Sequence, residues 1–256
     1  MSFAPRSLRH EYELYVEQEI EAYKDSIRRS DLLKIGDEAV AALRDAQQLA
    51  LTELVVWEEV DRIIRKRLRI PAYPTWRRKR IKLMREYQRP EHWGLPPDSA
   101  LAREVRPPAE SNVLVSGAAG ERAALYLAAH GCEVFAIDQA PDLVERVVNA
   151  AEAAGLTDRV HGYIADLRQW SPDVRLNAVV VSPSTFDGLT KRERGQVIQL
   201  LQAVTHDGGV HLVDAPADAD VHGLMQELSA QYKGWKISVE QSGGLSTTFL
   251  ARKGAA

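Results

Sequence analysis

Two glycines and an aspartate stand at a spacing that suits the binding of a nucleoside. The apolar run Val113–Val115 leads into Gly117 and Gly120, and a helical pattern follows. Glycine adopts positive φ and lets a ligand approach the backbone, while a helix N-terminus offers free amides and a partial positive charge. Asp138 ends the next apolar run, 21 residues after Gly117, where a carboxylate can accept hydrogen bonds from ribose hydroxyls.

A second aspartate of the same kind follows the third apolar run. Asp166 stands there, and its backbone and carboxylate could reach an adenine amino group. Taken singly, a glycine pair also suits a tight turn, and Asp138 followed by Pro141 also suits a helix cap. All three features in order, within one alternating α/β pattern, favour a nucleoside-type ligand.

The elements that would position these residues alternate between strands and helices from Asn112 onwards. Such alternation implies right-handed crossovers and a mainly parallel sheet. Two final strands with no helix between them imply an antiparallel hairpin at one edge. The predicted strands are 113–115, 134–137, 160–165, 178–181, 210–213, 235–239 and 247–251. The predicted helices of this part are 121–130, 142–154, 191–205 and 219–232.

The first part of the chain has a helical pattern, with apolar residues every three or four positions as far as residue 70. We expect Ser30-Asp31 to cap the second helix, and Pro71 and Pro74 to end the helical run. A basic helix should then span Trp76–Tyr87. The predicted domains are a helical domain at 1–88, a proline-rich linker at 89–111 and an α/β domain at 112–256.

The composition excludes several classes of protein. A single cysteine, Cys132, cannot form an intramolecular disulfide or a cysteine-based zinc cluster, and no metal site is predicted. No apolar run approaches the ~20 residues of a membrane span, and the first ten residues lack the apolar core of a signal peptide. We therefore expect a cytoplasmic protein with no membrane partner.

The positive charge is concentrated in one segment of the helical part. Residues 62–89 contain twelve Lys or Arg and one acid, a local charge of about +11, whereas the whole chain carries −3. One interpretation is an anionic partner, either nucleic acid held through its phosphates or an acidic patch on another protein or a second copy of this chain. A solvated charged face is the other. The candidate partner-binding residues are Arg65, Arg69, Trp76, Arg77, Arg78, Lys79 and Arg80, with Trp76 available for stacking.

From residue 112 to Lys253 the sequence resembles the class I S-adenosylmethionine-dependent methyltransferases, and most closely their tellurite-resistance and thiopurine-like small-molecule branch. The resemblance implies a Rossmann-like, seven-stranded methyltransferase sheet of the α/β class, here preceded by an N-terminal all-helical domain. The matching segments are Val113-Leu-Val-Ser-Gly-Ala-Ala-Gly-Glu-Arg-Ala, Leu127-Ala-Ala-His-Gly-Cys-Glu-Val-Phe-Ala-Ile-Asp, Ala165-Asp-Leu-Arg-Gln-Trp, Leu189-Thr-Lys-Arg-Glu-Arg, Gly208-Gly-Val-His-Leu-Val-Asp, and the ending from Trp235-Lys-Ile to Thr248-Phe-Leu-Ala-Arg-Lys.

The resemblance also implies a cofactor, S-adenosyl-L-methionine, and a small-molecule methyl acceptor. No catalytic residue follows from it, because small-molecule methyltransferases often need only bound geometry and a good nucleophile. The implied cofactor-binding residues are Gly117, Ala118 and Gly120 at the methionine part, Asp138 and Gln139 at the ribose, Asp166 and Leu167 at the adenine, and Ser182 after the fourth strand.

The chain departs from the family pattern near the glycine turn. Val115 stands where the family usually has an acid, and Ala119 and Glu121 replace the second and third glycines. After the fourth strand, Ser182-Pro-Ser-Thr-Phe-Asp replaces the Asn/Asp-Pro-Pro-Tyr/Phe of many nucleic-acid and protein nitrogen methyltransferases, so methylation of a base nitrogen is not supported.

Three hypotheses remain open at this point. The first is an active methyltransferase whose helical domain serves as lid, substrate platform or oligomerisation element. The second is a methyltransferase fold without cofactor that serves as a structural, assembly or nucleic-acid-binding module. The third is a nicotinamide-dependent oxidoreductase, which the predicted reversed last strand argues against.

Overall fold

The computed structural model describes residues 7–45, 53–105, 110–117, 120–170, 173–216, 222–242 and 246–254. The chain divides into two compact units, Met1–Leu83 and Met84–Ala256, called here the helical unit and the sheet unit. Among the described residues, no helix is long and apolar enough to cross a membrane.

The helical unit is built from α1 (Leu8–Ser26), α2 (Arg29–Asp45), α3 (Glu53–Arg67) and the first part of α4 (Tyr73–Tyr87). The apolar positions spaced by three and four residues supply its core, as the sequence pattern predicts. The buried side chains of that core are Ile20, Ile35, Ala39, Val60, Ile63 and Ile64.

Two predicted helix boundaries in this unit are wrong. Ser30-Asp31 lies inside α2, which begins at Arg29, so these residues do not cap it. Pro74 lies in the first turn of α4 and does not end a helix. A proline is tolerated there because the first amides of a helix have no intrahelical acceptor, and its fixed φ suits the helix.

One tyrosine joins three elements of the helical unit. The Tyr12 hydroxyl of α1 donates a hydrogen bond to the Pro71 carbonyl oxygen at 2.9 Å and accepts one from the Arg65 guanidinium of α3. The Tyr12 ring lies 5.4 Å from the rings of Tyr73 and Trp76 at the start of α4. The basic segment is therefore anchored to α1 by aromatic packing.

The sheet unit begins before the first strand. A single 3-10 turn at Pro90–Trp93 and a short helix, α5 (Ala100–Glu104), precede it. The Ser99 hydroxyl caps α5, and Leu101 and Val105 are buried in the hydrophobic core beneath the sheet. The described residues of the proline-rich segment thus contribute to the core of this unit.

Seven strands form one sheet in the order β3-β2-β1-β4-β5-β7-β6. The first five pair in parallel, and β7 is antiparallel to both β5 and β6. The predicted seven-stranded α/β fold with a reversed last strand is confirmed. The strands are β1 (Asn112–Ser116), β2 (Glu133–Asp138), β3 (Val160–Ile164), β4 (Leu176–Val181), β5 (Thr205–Pro216), β6 (Lys236–Ser242) and β7 (Ser246–Arg252).

Helices cover both faces of the sheet. Side chains alternate across a strand, so Val113 and Val115 of β1 pack in the core with α6 (Gly120–Ala129) and α7 (Pro141–Ala154). Leu114 points to the other face, which α8 (Lys191–Val204) and α9 (His222–Gln231) cover. The central strands are therefore covered mainly by apolar side chains on both faces.

A buried histidine in β5 links three elements through hydrogen bonds. The Thr205 hydroxyl donates to the Leu201 carbonyl oxygen at 2.6 Å, so it accepts from His211 Nε2, 2.7 Å away. His211 Nδ1 must then accept the Tyr232 hydroxyl proton, across 2.7 Å. Burial lowers the pKa of His211 to about 3, so the ring stays neutral and holds one tautomer.

We expect Tyr232→Phe to destabilise the sheet unit by about 1–3 kcal/mol, because it leaves buried Nδ1 of His211 without a donor. Urea unfolding followed by circular dichroism measures the change. Tyr163→Phe is the matched control, since Tyr163 is 43% exposed and its ring packs at the surface. Equal unfolding midpoints for the two variants would contradict the proposed role of the network.

Stability should also fall with decreasing pH through His211. The unfolded imidazole has a pKa near 6.5 and the folded one about 3, so between these values the unfolded chain binds one more proton. The contribution of neutral His211 to the free energy of unfolding is complete above pH 6.5. It is lost as pH falls, by up to about 1.4 kcal/mol per pH unit. Urea unfolding between pH 7.5 and 5 should show a shallower pH dependence for His211→Gln than for the wild type; parallel curves would refute this assignment.

Candidate functional site

The carboxyl ends of β1 and β2 bring Asp138 to the glycine turn. Asp138 Oδ2 accepts a hydrogen bond from the Gly117 amide at 3.0 Å and lies 3.4 Å from Ser116 Oγ. Its other oxygen, Oδ1, accepts from the Ala140 amide at 3.0 Å. A carboxylate oxygen has two lone pairs, so Oδ1 retains acceptor capacity for a ligand hydroxyl.

The two glycines of the turn are required for different reasons. Gly117 has a φ of +89°, a backbone conformation that residues with a side chain rarely adopt. A Cβ on Gly120 would lie 2.9 Å from Val115 Cγ1, so glycine lets α6 approach β1. Ala118 and Ala119 lie outside the described residues.

Hydroxyl groups from the segment after β4 surround Gly117. A Cβ on Gly117 would lie 2.1 Å from Ser182 Oγ, 2.7 Å from Thr185 Oγ1 and 3.0 Å from Ser184 Oγ. Ser182 is buried, and its Oγ lies 2.8 Å from that of Ser184. The sequence prediction included Ser182 but not Ser116, Ser184 and Thr185; for Ser184 and Thr185, the signal was a hydroxyl-rich run directly after a buried strand.

The end of β3 lies beside that of β2, since the Ala165 amide donates to the Asp138 carbonyl oxygen at 3.0 Å. The side chain of Asp166 is occupied, because Arg168 donates to Oδ2 from Nε at 2.8 Å and to Oδ1 from its own amide at 2.9 Å. The Arg168 hydrogen bond lowers the pKa of Asp166, and Arg168 also pairs with Glu193 at 2.6 Å.

The remaining two predicted cofactor residues differ in exposure. Leu167 is buried in the core beneath α8 and α9, whereas Gln139 is exposed. The structure therefore brings Gly117, Asp138 and Ser182 together, whereas the side chains of Leu167 and Gln139 are not part of that cluster.

A recess of about 210 Å³, part of it open to solvent, lies at this edge of the sheet. Glu121, beside it at the start of α6, pairs with Arg146 at 2.9 Å. The lining residues are Val115, Ser116, Gly117, Gly120, Ala136, Ile137, Asp138, Leu143, Val144 and Val147.

Metal and thiol chemistry find no support in the part of the chain that the structure describes. It contains no group of three or more His, Cys, Asp or Glu side chains placed to hold a metal ion. Cys132 is buried, and burial raises the pKa of its thiol to about 11, which keeps the thiol protonated and unreactive.

The candidate partner-binding residues of the helical unit divide into two groups. Three are engaged internally: Arg65 with Tyr12, Trp76 in an aromatic cluster with Tyr12, Tyr15 and Tyr73, and Arg80 with Glu11 at 3.2 Å. The other four are exposed: Arg69, Arg77, Arg78 and Lys79.

We expect Gly117→Ala to cost more stability than Gly188→Ala. Both positions have positive φ, +89° and +73°, so both variants carry a strain of about 1–2 kcal/mol. A Cβ at Gly188 meets nothing within 4 Å, whereas one at Gly117 clashes with the Ser182 hydroxyl. In urea unfolding, the free energy of unfolding of Gly117→Ala should be lower than that of Gly188→Ala by a further ~1–3 kcal/mol.

The double variant Gly117→Ala with Ser182→Gly tests the clash directly, because it removes the nearest obstructing atom. Partial recovery of the unfolding midpoint is expected. If Gly117→Ala and Gly188→Ala have equal free energies of unfolding, the Ser182 hydroxyl does not pack against the turn as described.

Comparison with known proteins identifies the family. The family model described as tellurite resistance protein TehB matches residues 98–240, and no curated protein matches the chain. Among solved structures, N-methyltransferase NodS from Bradyrhizobium japonicum WM9 is 17% identical over 62% of this chain and 99% of its own, with a TM-score of 0.47. TehB from Haemophilus influenzae is 19% identical over 59% of each chain, with a TM-score of 0.47.

A third solved structure, precorrin-6y C5,15-methyltransferase from Geobacter metallireducens GS-15, is 13% identical over 60% of this chain and 86% of its own, with a TM-score of 0.49. The family model spans more than half of the present sequence. It confirms the resemblance stated from the sequence motifs. The protein belongs to the TehB tellurite-resistance family of methyltransferases.

Proposed function

We propose that the protein is an S-adenosyl-L-methionine-dependent methyltransferase that acts on a small molecule. The observation that carries this proposal is Asp138, an acid held at the carboxyl end of β2 by the Gly117 amide while one of its oxygens retains acceptor capacity. In an open parallel sheet, ligands bind beyond the carboxyl ends of the strands.

The residues at this edge fit three parts of the cofactor. Asp138 would accept hydrogen bonds from the ribose hydroxyls, and the amides at the start of α6 would face the methionine carboxylate. The backbone at Asp166 and Leu167 would contact the adenine. S-adenosylmethionine, when bound, supplies an electrophilic methyl group on a sulfonium.

The methyl acceptor in this proposal is a small nucleophile positioned by hydrogen bonds. Ser182, Ser184 and Thr185 place hydroxyl groups beside the turn, where they could orient a polar acceptor. Positioning of a good nucleophile can supply most of the rate enhancement without a general base. The segment after β4 has no Asn-Pro-Pro-Tyr motif, which supports a small molecule over a nucleic-acid base.

A second candidate is a family member that works without the cofactor, as a structural or assembly module. The observation that favours it is the cluster of hydroxyl groups beside Gly117, because Ser182 Oγ occupies the space next to the turn. Val115 is fully buried and apolar, so it offers no carboxylate to the ammonium of methionine.

Isothermal titration calorimetry with S-adenosylmethionine and S-adenosylhomocysteine separates the two candidates. We expect both ligands to bind, and Asp138→Ala to weaken binding at least tenfold, because two hydrogen bonds to a charged group are lost. Asp173→Ala is the matched control. Asp173 is exposed and precedes β4, so it lies at the amino end of that strand, away from the carboxyl ends.

Circular dichroism of each variant confirms that the sheet unit is folded. No heat of binding at millimolar ligand would exclude the methyltransferase and leave the cofactor-free candidate. Equal affinity of Asp138→Ala and Asp173→Ala would place the cofactor elsewhere.

A further inference from the structure

Helix α4 carries an unusual density of cations. Five Lys or Arg residues lie between Arg77 and Lys82, and the first acid after them is Glu86. In α1 to α3, cations pair with acids three or four residues away. Examples are Arg9 with Glu13, Lys34 with Asp31 and Arg62 with Glu59.

Four of the five cations are available to a partner. Arg80 pairs with Glu11, but Arg77, Arg78, Lys79 and Lys82 are exposed and form no ion pair with the described residues of the chain. These four residues are called here the cationic face. Arg78 and Lys82 are one helical turn apart, and like charges at that spacing destabilise a helix. Helix stability therefore does not explain the cationic face.

The rest of α4 holds the cationic face in a fixed orientation within the helical unit. Trp76 packs against Tyr12, Tyr15 and Tyr73, with ring centroids 5.4 to 6.4 Å apart. Because its ring is committed to this cluster, Trp76 is not free to stack on an unpaired base. The groups that α4 offers to a partner are guanidinium and ammonium ions on a rigid helix.

We propose that the cationic face binds the phosphate backbone of a nucleic-acid duplex without reading its sequence. Guanidinium groups match phosphate geometry, and exposed cations confer affinity by releasing counterions. Binding of single strands relies on aromatic stacking, and Trp76, the aromatic residue next to the cationic face, is engaged in the cluster with Tyr12. Protein interfaces centre on clusters of aromatic or aliphatic anchors, whereas Leu83, at 39% exposure, is the one large apolar side chain that α4 exposes.

This binding is independent of the proposed methyl transfer. The four residues belong to the helical unit, whereas Gly117, Asp138 and Ser182 belong to the sheet unit. A negative result for the cofactor would not affect it, and loss of duplex binding would leave the calorimetry with S-adenosylmethionine unchanged.

The test is fluorescence anisotropy of the full chain with a labelled 24-base-pair duplex of mixed sequence, as DNA and as RNA, between 50 and 200 mM salt. The variant is Arg77→Gln, Arg78→Gln, Lys79→Gln and Lys82→Gln together. Its matched control neutralises four cations that form ion pairs in the same unit: Arg9→Gln, Lys34→Gln, Arg62→Gln and Arg67→Gln.

We expect salt-dependent binding that varies less than threefold between unrelated duplex sequences. The cationic-face variant should lose at least tenfold in affinity, and the slope of log affinity against log salt should become shallower by roughly three. The control variant should retain most of the affinity. Equal binding to the DNA and RNA duplexes supports recognition of phosphate alone. A preference for one duplex supports recognition of phosphate together with the shape of its grooves.

Three results would overturn the proposal. They are absence of duplex binding at 50 mM salt, equal losses in the two variants, and competition by polyglutamate as effective as that by duplex at equal charge. The last result would assign the face to an acidic protein instead.

Discussion

The hydrogen bond between the Gly117 amide and the Asp138 carboxylate joins the carboxyl ends of β1 and β2, where the candidate site lies. It forms because β1 and β2 are parallel neighbours in register, with Val115 opposite Ala136, so both strands end at the same level. The positive φ of Gly117 redirects the chain after the strand, and α6 can then start at Gly120 against Val115. This bond links the glycine turn to the acid, while strand pairing and the Ala140 amide also hold Asp138 in place.

Much of this edge could be predicted from the sequence, because it depends on local patterns. Apolar runs of three to six residues alternate with amphipathic helices, and Gly117, Asp138 and Asp166 stand at the ends of the first three runs. Parallel pairing then requires these residues to share an edge. The two errors at Ser30-Asp31 and Pro74 concern helix boundaries, where capping residues and first-turn prolines carry similar sequence signals.

The partners of these residues could not be predicted, because they come from distant parts of the chain. Ser182 and Thr185 reach Gly117 only through the pairing of β4 with β1, about 65 residues later. Arg168 follows Asp166 by two residues, yet Glu193 of α8 helps to orient it. In the helical unit, Tyr12 of α1 engages Arg65 and Trp76, and nothing near residue 76 in the sequence reveals that contact.

The position of β7 has a consequence for the order in which the sheet unit can be completed. β7 lies between β5 and β6, although it is the last of the seven strands along the chain. During synthesis β5 emerges first, and its neighbour on that side is missing until residues near Arg252 have left the ribosome. Until then the apolar edge of β5 is unpaired, and such edges are prone to wrong pairing. For this chain, the exposure to wrong pairing therefore lasts from the synthesis of β5 until β7 has been made.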